Sequence, residues 1–319
     1  MAVAEAGTLW VVSPMLQDTE SLLRLRTETA AACIAAGITT PIRHLVIDDS
    51  AGTDADVVRL GAFADIEVLT PPFNLGHQRA IVFGLRHLVA RLGRDDVVVT
   101  MDSDGEDQPL DVPRLVHALD AEHVPLAVAL RTKRSEPFRF RVMYLVFRLM
   151  FRVLTGTTVR SGNFAAQRAE SLEATINHPS FDLCYSSTLL ALRRPTAAVP
   201  CARGHRFAGT SRMNSYALVA HGMRMLLPFS ERIAVRMMLV AVGTFGAMVA
   251  DLVLLATGVF GSHPGALALT PLVAIVAVFL ASFAGFVVLF SGFAQASAIA
   301  MKGIGVPDPF DAPTSRLTS

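Results

Sequence analysis

The stretch Val97–Asp111, VVVTMDSDGEDQPLD, decides the fold prediction because an apolar, β-rich run ends directly in an acidic loop. Val97–Met101 predicts a buried strand, and that strand delivers Asp102, Asp104 and Glu106 into the loop. If the chain stays extended there, alternate residues point to one side and the three carboxylates converge. Hard oxygen ligands at that density suit Mg²⁺ or Mn²⁺, which usually lie between carboxylates and substrate phosphates. A solvated acidic turn is the competing interpretation.

The chain around this stretch alternates strand-like and helix-like runs. We predict strands at 8–13, 43–47, 66–70, 97–101 and 126–130, and helices at 18–36, 76–92 and 111–119. Such alternation predicts an α/β domain whose mostly parallel sheet is covered by helices on both faces. Ligands of such sheets bind at the carboxyl ends of the strands, and the acidic clusters of this chain fall there.

The composition excludes several classes of protein. Of the 319 residues, 52% are hydrophobic, which excludes intrinsic disorder. The three cysteines form no Cys-x-x-Cys pair, so they support neither a disulfide scaffold nor a zinc site. The net charge of +1 hides a split, with −10 through Glu122 and +11 from His123 onward. Because the basic half is also the apolar half, we expect it to meet an anionic ligand or surface rather than nucleic acid.

Three further clusters have the composition of ligand-binding segments. Asp48 and Asp49 end the second predicted strand, where carboxylates accept hydrogen bonds from a base or from ribose hydroxyls; strand-end capping is the alternative. Asn74 and Gly76 precede a helix whose N-terminus favours anions. Residues 203–212 contain three arginines, two glycines and two hydroxyl residues. That composition suits a phosphate clamp or, alternatively, a patch that binds anionic lipid.

Residues 131–160 combine eight basic residues and a single acidic one with interleaved aromatic and aliphatic residues. Arg141, Arg148 and Arg152 fall roughly on one helical face. This pattern predicts a basic amphipathic helix that lies in a membrane interface. The alternative is an ordinary helix that packs on the sheet and has a solvated arginine face.

Two long apolar stretches follow. Residues 237–260 contain one charged residue, and residues 266–301 contain none; each exceeds the ~20 residues needed to cross a hydrocarbon core. Arginines precede the first stretch and Lys302 follows the second, so the positive-inside rule predicts a hairpin whose two flanks are cytoplasmic. A buried helical hairpin in a soluble protein is the alternative. The N-terminus lacks a basic, apolar leader, and we expect no signal peptide.

Taken together, these features resemble the family 2 glycosyltransferases of Rossmann-like GT-A fold. The resemblance is to their polyprenyl-phosphate branch, which includes dolichol-phosphate mannose synthases and undecaprenyl-phosphate glucosyltransferases, and it runs from about Leu9 to Met301. The segments that carry it are Val11-Val12-Ser13-Pro14, Val46-Ile47-Asp48-Asp49-Ser50, Asn74-x-Gly76, Asp102-Ser103-Asp104, Ser161-Gly162-Asn163-Phe164 and Arg206-x-x-Gly209-x-Ser211-Arg212.

The sequence departs from the pattern of that branch at several positions. Gln17-Asp18-Thr19 stands in place of an opening Asn-Glu-Glu, Glu106 in place of a glutamine, and Arg212 in place of a lysine. A Gln-x-x-Arg-Trp motif is absent, since Trp10 is the only tryptophan. Its absence argues against a processive polysaccharide synthase.

The resemblance implies inverting transfer of a single sugar from a nucleotide-sugar, a UDP- or GDP-hexose, to a polyprenyl phosphate. The product would serve the assembly of cell-envelope glycans or glycoconjugates. Two alternatives stay open, namely the same chemistry with a different lipid or glycan acceptor, and a catalytically degenerate domain that acts as a membrane scaffold. The expected partners are the nucleotide-sugar, the polyprenyl phosphate and the lipid bilayer, with no nucleic acid; self-association into a homo-oligomer stays open.

The resemblance also implies roles for the matching residues. A divalent cation, Mg²⁺ or Mn²⁺, would be held by Asp102, Asp104 and Glu106, and the catalytic residues would be Asp104, Arg131 and Arg206. The nucleotide-sugar would contact Pro14, Asp18, Asp48, Asp49, Asn74, Gly76, Asp102 and Ser103. The acceptor or diphosphate would be bound by Arg131, Arg139, Arg141, Arg203, Arg206, Ser211 and Arg212.

We therefore predict four parts of the chain. Residues 1–136 form the nucleotide-sugar and metal-binding core, and residues 137–231 the acceptor side of the catalytic domain with its interfacial helices. Residues 232–302 form two transmembrane helices, and residues 303–319 a flexible tail. The predicted location is the inner (plasma) membrane, with the catalytic domain and both termini in the cytoplasm.

Overall fold

The computed structural model of the chain describes residues 7–131, 138–159, 161–209, 215–257, 273–288 and 292. The strands are β1 (Leu9–Met15), β2 (Ile42–Asp48), β3 (Ile66–Leu69), β4 (Val97–Thr100), β5 (Leu126–Arg131), β6 (Ser161–Arg168) and β7 (Thr196–Cys201). The helices are α1 (Thr19–Ala35), α2 (His77–Val89), α3 (Val112–Ala121), α4 (Phe138–Thr155), α5 (Ala169–Thr175), α6 (Tyr185–Ala191), α7 (Ser215–Leu226) and α8 (Ser230–Ala256).

The seven strands form a single mixed sheet in the order β3-β2-β1-β4-β6-β5-β7. Every neighbouring pair is parallel except the two that involve β6, which runs antiparallel to β4 and to β5. The prediction of a mostly parallel sheet is therefore confirmed, and all five predicted strands are present within two residues of their predicted bounds.

Helices cover both faces of the sheet, and the alternation along β1 shows how. Leu9 and Val11 join the apolar cluster that contains residues of α1 and α3. Trp10 and Val12 point to the opposite face and join the cluster that contains residues of α2 and α6. Because successive side chains of a strand alternate between faces, a strand buried on both faces is apolar along most of its length.

A third apolar cluster joins α4, α7 and α8 outside the sheet. The helix predicted within 131–160 is present as α4. Phe151 is buried in this cluster, while Leu145, Leu149 and Val153 are exposed on the same helix. Within the described part of the chain, no helix combines the length and the apolarity that a membrane crossing requires. Much of the predicted second span lies outside the described residues.

A buried histidine gives the fold a specific response to acid. His44 on β2 is 1% exposed, and its Nδ1 has no hydrogen-bond partner among the described residues. Burial lowers the pKa of His44 to about 4, although the nearby Asp65 opposes that effect. An unfolded histidine takes up a proton near pH 6.5, so acid favours the unfolded chain. The contribution of His44 to stability is complete above pH 6.5 and is lost as the pH falls toward 4.

We expect the His44→Gln variant to have a flatter stability profile than the wild type. At about 1.4 kcal/mol for each pH unit, the wild type should lose about 3 kcal/mol more stability than the variant between pH 7 and pH 4. Urea unfolding at several pH values measures it, and His117→Gln on the exposed side of α3 is the control. Equal slopes for His44→Gln and the wild type would contradict the assignment.

Candidate active site

The carboxyl ends of the parallel strands and the beginning of β6 meet at one edge of the sheet, which we call the site edge. β2 ends there at Asp48 and β5 at Arg131. Residues 102–107, the acidic loop, follow β4, and residues 202–209, the arginine loop, follow β7. Because β6 runs antiparallel, its early residue Asn163 lies at the same edge. The topology thus collects charged side chains from distant parts of the sequence.

Asp102, the first carboxylate of the acidic loop, is paired at its Oδ1 atom. It accepts a hydrogen bond from Asn163 Nδ2 at 2.5 Å, and His77 Nε2 lies 3.0 Å away. Burial acts to raise the pKa of Asp102, but the charge and hydrogen bond of His77, the charge of Arg131 and the hydrogen bond from Asn163 together hold that pKa well below its usual range. Asp102 is therefore an ionised anchor between α2 and β6.

Asp104 and Glu106 face the arginine loop instead. Arg206 Nη2 lies 2.7 Å from Asp104 Oδ2 and its Nε lies 3.4 Å from Glu106 Oε1. Arg203 forms an ion pair with Glu106. The backbones also meet, since Gly204 N donates to Glu106 O at 2.9 Å. Burial, followed by the charge of Asp102, raises the pKa of Asp104, which Arg206 partly offsets.

The acidic loop is not extended, so the expectation that alternate carboxylates converge is wrong. Asp104 Oδ1 accepts a hydrogen bond from Glu106 N at 2.9 Å, which turns the chain, and Gly105 has a φ of +84°. In consequence Asp102 faces a different partner from Asp104 and Glu106. Among the described residues, no three His, Cys, Asp or Glu side chains are grouped as metal ligands.

Asp107 is a buried member of the site edge that the sequence did not single out. It is 5% exposed, its Oδ2 accepts from Asp102 N at 3.2 Å, and its Oδ1 lies 3.7 Å from Arg131 Nη2. Burial and the neighbouring charge of Asp102 raise the pKa of Asp107. Gly162 leaves room for the guanidinium, because a Cβ there would lie 3.3 Å from Arg131 Nη2. Asp107 thus holds Arg131 beside the acidic loop.

The pair Asp48 and Asp49 organises the neighbouring loop. Asp49 Oδ1 and Oδ2 accept from the amides of Leu75 and Gly76, at 2.6 and 3.0 Å, and Asn74 Nδ2 donates to Asp49 O at 2.7 Å. Burial raises the pKa of Asp49, although these amides oppose it. Asp48 Oδ1 accepts from Ser50 N at 3.1 Å. The carboxylate of Asp49 therefore positions residues 74–76, and it is not free for a ligand in this state.

His77 joins the two acidic groups of the site edge and was not among the predicted site residues. It is the first residue of α2, directly after Gly76, which has a φ of +76°. Burial acts to lower the pKa of His77, but the charge and hydrogen bond of Asp102, together with the charges of Asp107 and Asp104, raise that pKa to about 9. The imidazole is 43% exposed. A positive charge therefore faces solvent between the pair at the end of β2 and the acidic loop. His77 directly follows the Asn74-x-Gly76 segment, and this position is the signal that could have identified it.

Of the other predicted site residues, the structure describes some and leaves others outside the described part of the chain. Pro14 is buried in β1 opposite Ile47, Ser103 is buried in the acidic loop, and Asp18 precedes α1. Ser211 and Arg212 lie outside the described residues. The side chains of Arg139 and Arg141 also lie outside them, although both residues belong to α4.

The donor set of the acidic loop fits a divalent cation in its chemistry. Mg²⁺ is usually bound by one or two carboxylates together with substrate phosphates and water, so it does not need a cluster of three protein ligands. Asp104 and Glu106 supply two such carboxylates near one point, where Arg206 now contacts both. A cation bound there would take the place of the guanidinium groups.

Comparisons with known proteins agree with this geometry. The family described as "Glycosyl transferase family 2" matches residues 21–181. The undecaprenyl-phosphate 4-deoxy-4-formamido-L-arabinose transferase of Edwardsiella ictaluri is 26% identical over 214 residues, which are 66% of this chain and 64% of that protein. The protein of the same name from Salmonella dublin is 30% identical over 133 residues, 40% of this chain and 38% of that one. The chain thus spans less than two thirds of the length of these relatives.

Solved structures resemble the fold. A mycobacterial protein superimposes with a TM-score of 0.50 at 21% identity, over 71% of this chain and 75% of that one. Glucosyl-3-phosphoglycerate synthase from Mycobacterium tuberculosis, in complex with Mn²⁺, UDP and glucosyl-3-phosphoglycerate, has a TM-score of 0.46 at 23% identity, over 71% of this chain and 80% of that one. The family match covers half of the chain and includes the acidic loop, Asp48 and Asp49. This chain therefore belongs to glycosyl transferase family 2, and it is a glycosyltransferase with a GT-A-like α/β domain and a mixed sheet.

Proposed function

We propose that this glycosyltransferase moves one sugar from a nucleotide-sugar to a polyprenyl phosphate, with inversion at the anomeric carbon. The observation that carries the proposal is the meeting of the acidic loop and the arginine loop at the site edge. Carboxylates for a cation and arginines for phosphates lie side by side there. A nucleoside diphosphate, with its cation, matches both sets of charges.

The donor half of the proposal assigns the nucleoside to the β2 side of the edge and the diphosphate to the acidic loop. Asp48, Asp18 and residues 74–76 surround the nucleoside end in this assignment, and Arg206 and Arg203 bind the phosphates. A cation on Asp104 and Glu106 would neutralise charge on the departing diphosphate. Release of the two arginines from their carboxylates frees their N–H groups for phosphate oxygens.

The chemical step needs no strong base from the protein. A phosphate monoester has its second pKa near ~6, so the acceptor is already largely ionised at neutral pH. One of its oxygens forms a bond to the anomeric carbon, and the bond from that carbon to the diphosphate oxygen breaks with its electron pair leaving on the diphosphate. Arg131, which Asp107 holds in place, would bind the attacking phosphate. Nothing in this step has to be protonated or deprotonated.

The acceptor half of the proposal rests on the names of the relatives and on the basic, apolar second half of the chain. Both relatives named above are undecaprenyl-phosphate sugar transferases. Leu145, Leu149 and Val153 of α4 are exposed, as are Arg148 and Arg152 of the same helix, and this mixture of apolar and basic residues suits a lipid surface. From the sequence we further infer two membrane spans within 232–302, a cytoplasmic catalytic domain and a boundary near residue 136 between the donor and acceptor parts.

A donor screen with the full chain in detergent tests this proposal. Radiolabelled UDP- and GDP-sugars are incubated with undecaprenyl phosphate and either Mn²⁺ or Mg²⁺, and the lipids are then extracted into organic solvent. We expect one donor to label the lipid phase and EDTA to abolish that label. If a donor is hydrolysed but no lipid is labelled, the polyprenyl acceptor is wrong. If no nucleotide binds and none is hydrolysed, the chain is not an active transferase and the scaffold alternative replaces the proposal.

A further inference from the structure

An aromatic side chain fastens the arginine loop to the acidic loop. Phe207 N donates to Asp104 O at 2.8 Å, so the backbones of the two loops are joined beside the ring. The ring itself lies against Gly105, where an added Cβ would lie 2.7 Å from three ring carbons. The ring also packs against the apolar cluster under α1 and α3. The ring of Phe207 therefore fills a space that is available only because residue 105 is a glycine.

A residue from α1 also covers a face of this ring. The guanidinium carbon of Arg24 lies 4.1 Å from the centroid of Phe207. Glu28, one turn further along α1, forms an exposed ion pair with Arg24 at 2.7 Å. The ring of Phe207 thus contacts both a guanidinium of α1 and the backbone of the acidic loop. Arg24 is about 180 positions from the arginine loop in the chain, and no pattern in the sequence connects the two.

The ion pairs of the arginine loop account for only part of what holds it in this position. Arg203 and Arg206 are 34% and 30% exposed at their side chains, and solvent-exposed pairs of this kind contribute little. They are also the contacts that ligand binding would break, because the arginines and a cation compete for the same carboxylates. The contacts that survive this exchange are the backbone hydrogen bonds from Gly204 and Phe207 to the acidic loop and the packing of the Phe207 ring. The ring of Phe207 carries no charge and uses no carboxylate.

We propose that Phe207 and Arg24 are positioning residues, which keep the arginine loop over the acidic loop while Arg203 and Arg206 move from carboxylate to phosphate. The catalytic consequence rests on the proposed function, but the docking of the loop does not. Loss of the ring would leave the arginines chemically intact and misplaced. Such a loss should lower kcat more than it raises the KM for the donor, because transition-state charge requires accurate placement.

Hydrogen exchange of the full chain without any ligand tests the docking. The amides of Gly204 and Phe207 are bonded to carbonyls of the acidic loop, so the peptide that covers 202–209 reports loop release. We expect Phe207→Leu to exchange about five- to tenfold faster there, and Phe207→Tyr to exchange like the wild type. The matched control is Phe63→Leu, because Phe63 lies 4.5 Å below Arg26 of the same helix and far from the site edge. Its 202–209 peptide should not change.

A double variant tests the part that Arg24 plays. If Arg24 acts through the ring, Arg24→Gln should speed exchange of the 202–209 peptide, but it should add nothing in the Phe207→Leu background. Additive effects would remove Arg24 from the proposal. Unchanged exchange in Phe207→Leu would overturn the proposal as a whole, whether or not the chain transfers sugar. Faster exchange with an unchanged ratio of kcat to donor KM would refute the positioning role in catalysis.

Discussion

The Asp104→Asn variant transfers sugar at less than about 1% of the wild-type rate, if the acidic loop binds the donor diphosphate through a cation. The substitution removes the negative charge that faces Arg206 at 2.7 Å. It keeps the oxygen that accepts from Glu106 N, so the turn of the acidic loop should survive. Initial rates of lipid labelling at saturating donor measure the effect.

A matched control for this variant lies elsewhere on the same domain. Asp120 on α3 also pairs with an arginine, Arg168, but both side chains are exposed and distant from the site edge. Asp120→Asn should keep the wild-type rate, and both variants should unfold at about the same urea concentration as the wild type. Full activity of Asp104→Asn would refute the assignment of the acidic loop to the cation.

The second large effect is expected for Arg206→Ala, which should lower kcat by about 10²- to 10³-fold. Arg206 contacts both Asp104 and Glu106, so its guanidinium is well placed to leave the carboxylates and bind the diphosphate. Its side chain is 30% exposed, and a partly exposed ion pair adds at most about 1 kcal/mol to stability. Turnover should therefore fall far more than stability does.

Two further variants make this result specific. Arg206→Lys keeps the charge but loses the planar fork, and it should recover only part of the activity. Arg168→Ala removes an arginine from the exposed pair with Asp120 and should leave turnover unchanged. If unfolding of the Arg206→Ala variant accounted for its whole loss of turnover, the residue would be structural rather than catalytic.

Strands β1 to β5 could be predicted because they are short apolar runs that end in turn residues. β4, with Val97, Val98 and Val99, is the clearest example. β6 and β7 were not predicted. β6 reads SGNFAAQR, with small and polar residues that carry no β signal. β7 contains Pro200 and alternates between exposed and buried residues, as an edge strand can. Their strand character depends on neighbours that are distant in the chain.

The candidate site was predictable in its residue types but not in its pairings. Asp102 and Asp104 stand out in the sequence because carboxylates follow a buried strand. Asp102 pairs with His77 and Asp104 with Arg206, and these pairings depend on the turn at Gly105, on where α2 begins and on where β7 ends. Asp107 was missed because its significance comes from burial beside Arg131, and burial of a single acidic residue leaves no trace in a loop sequence.

The mass of the lipid product tests the central claim most directly. Undecaprenyl phosphate carrying ¹⁸O in its phosphate is incubated with the active donor, and the extracted product is analysed by mass spectrometry. The proposed chemistry predicts a product that contains one sugar, a single phosphate and every ¹⁸O atom of the acceptor, because the acceptor oxygen attacks carbon and no bond to phosphorus breaks. A product with two phosphates would show that a sugar phosphate was transferred, and it would contradict the claim that this chain transfers a sugar to a lipid phosphate.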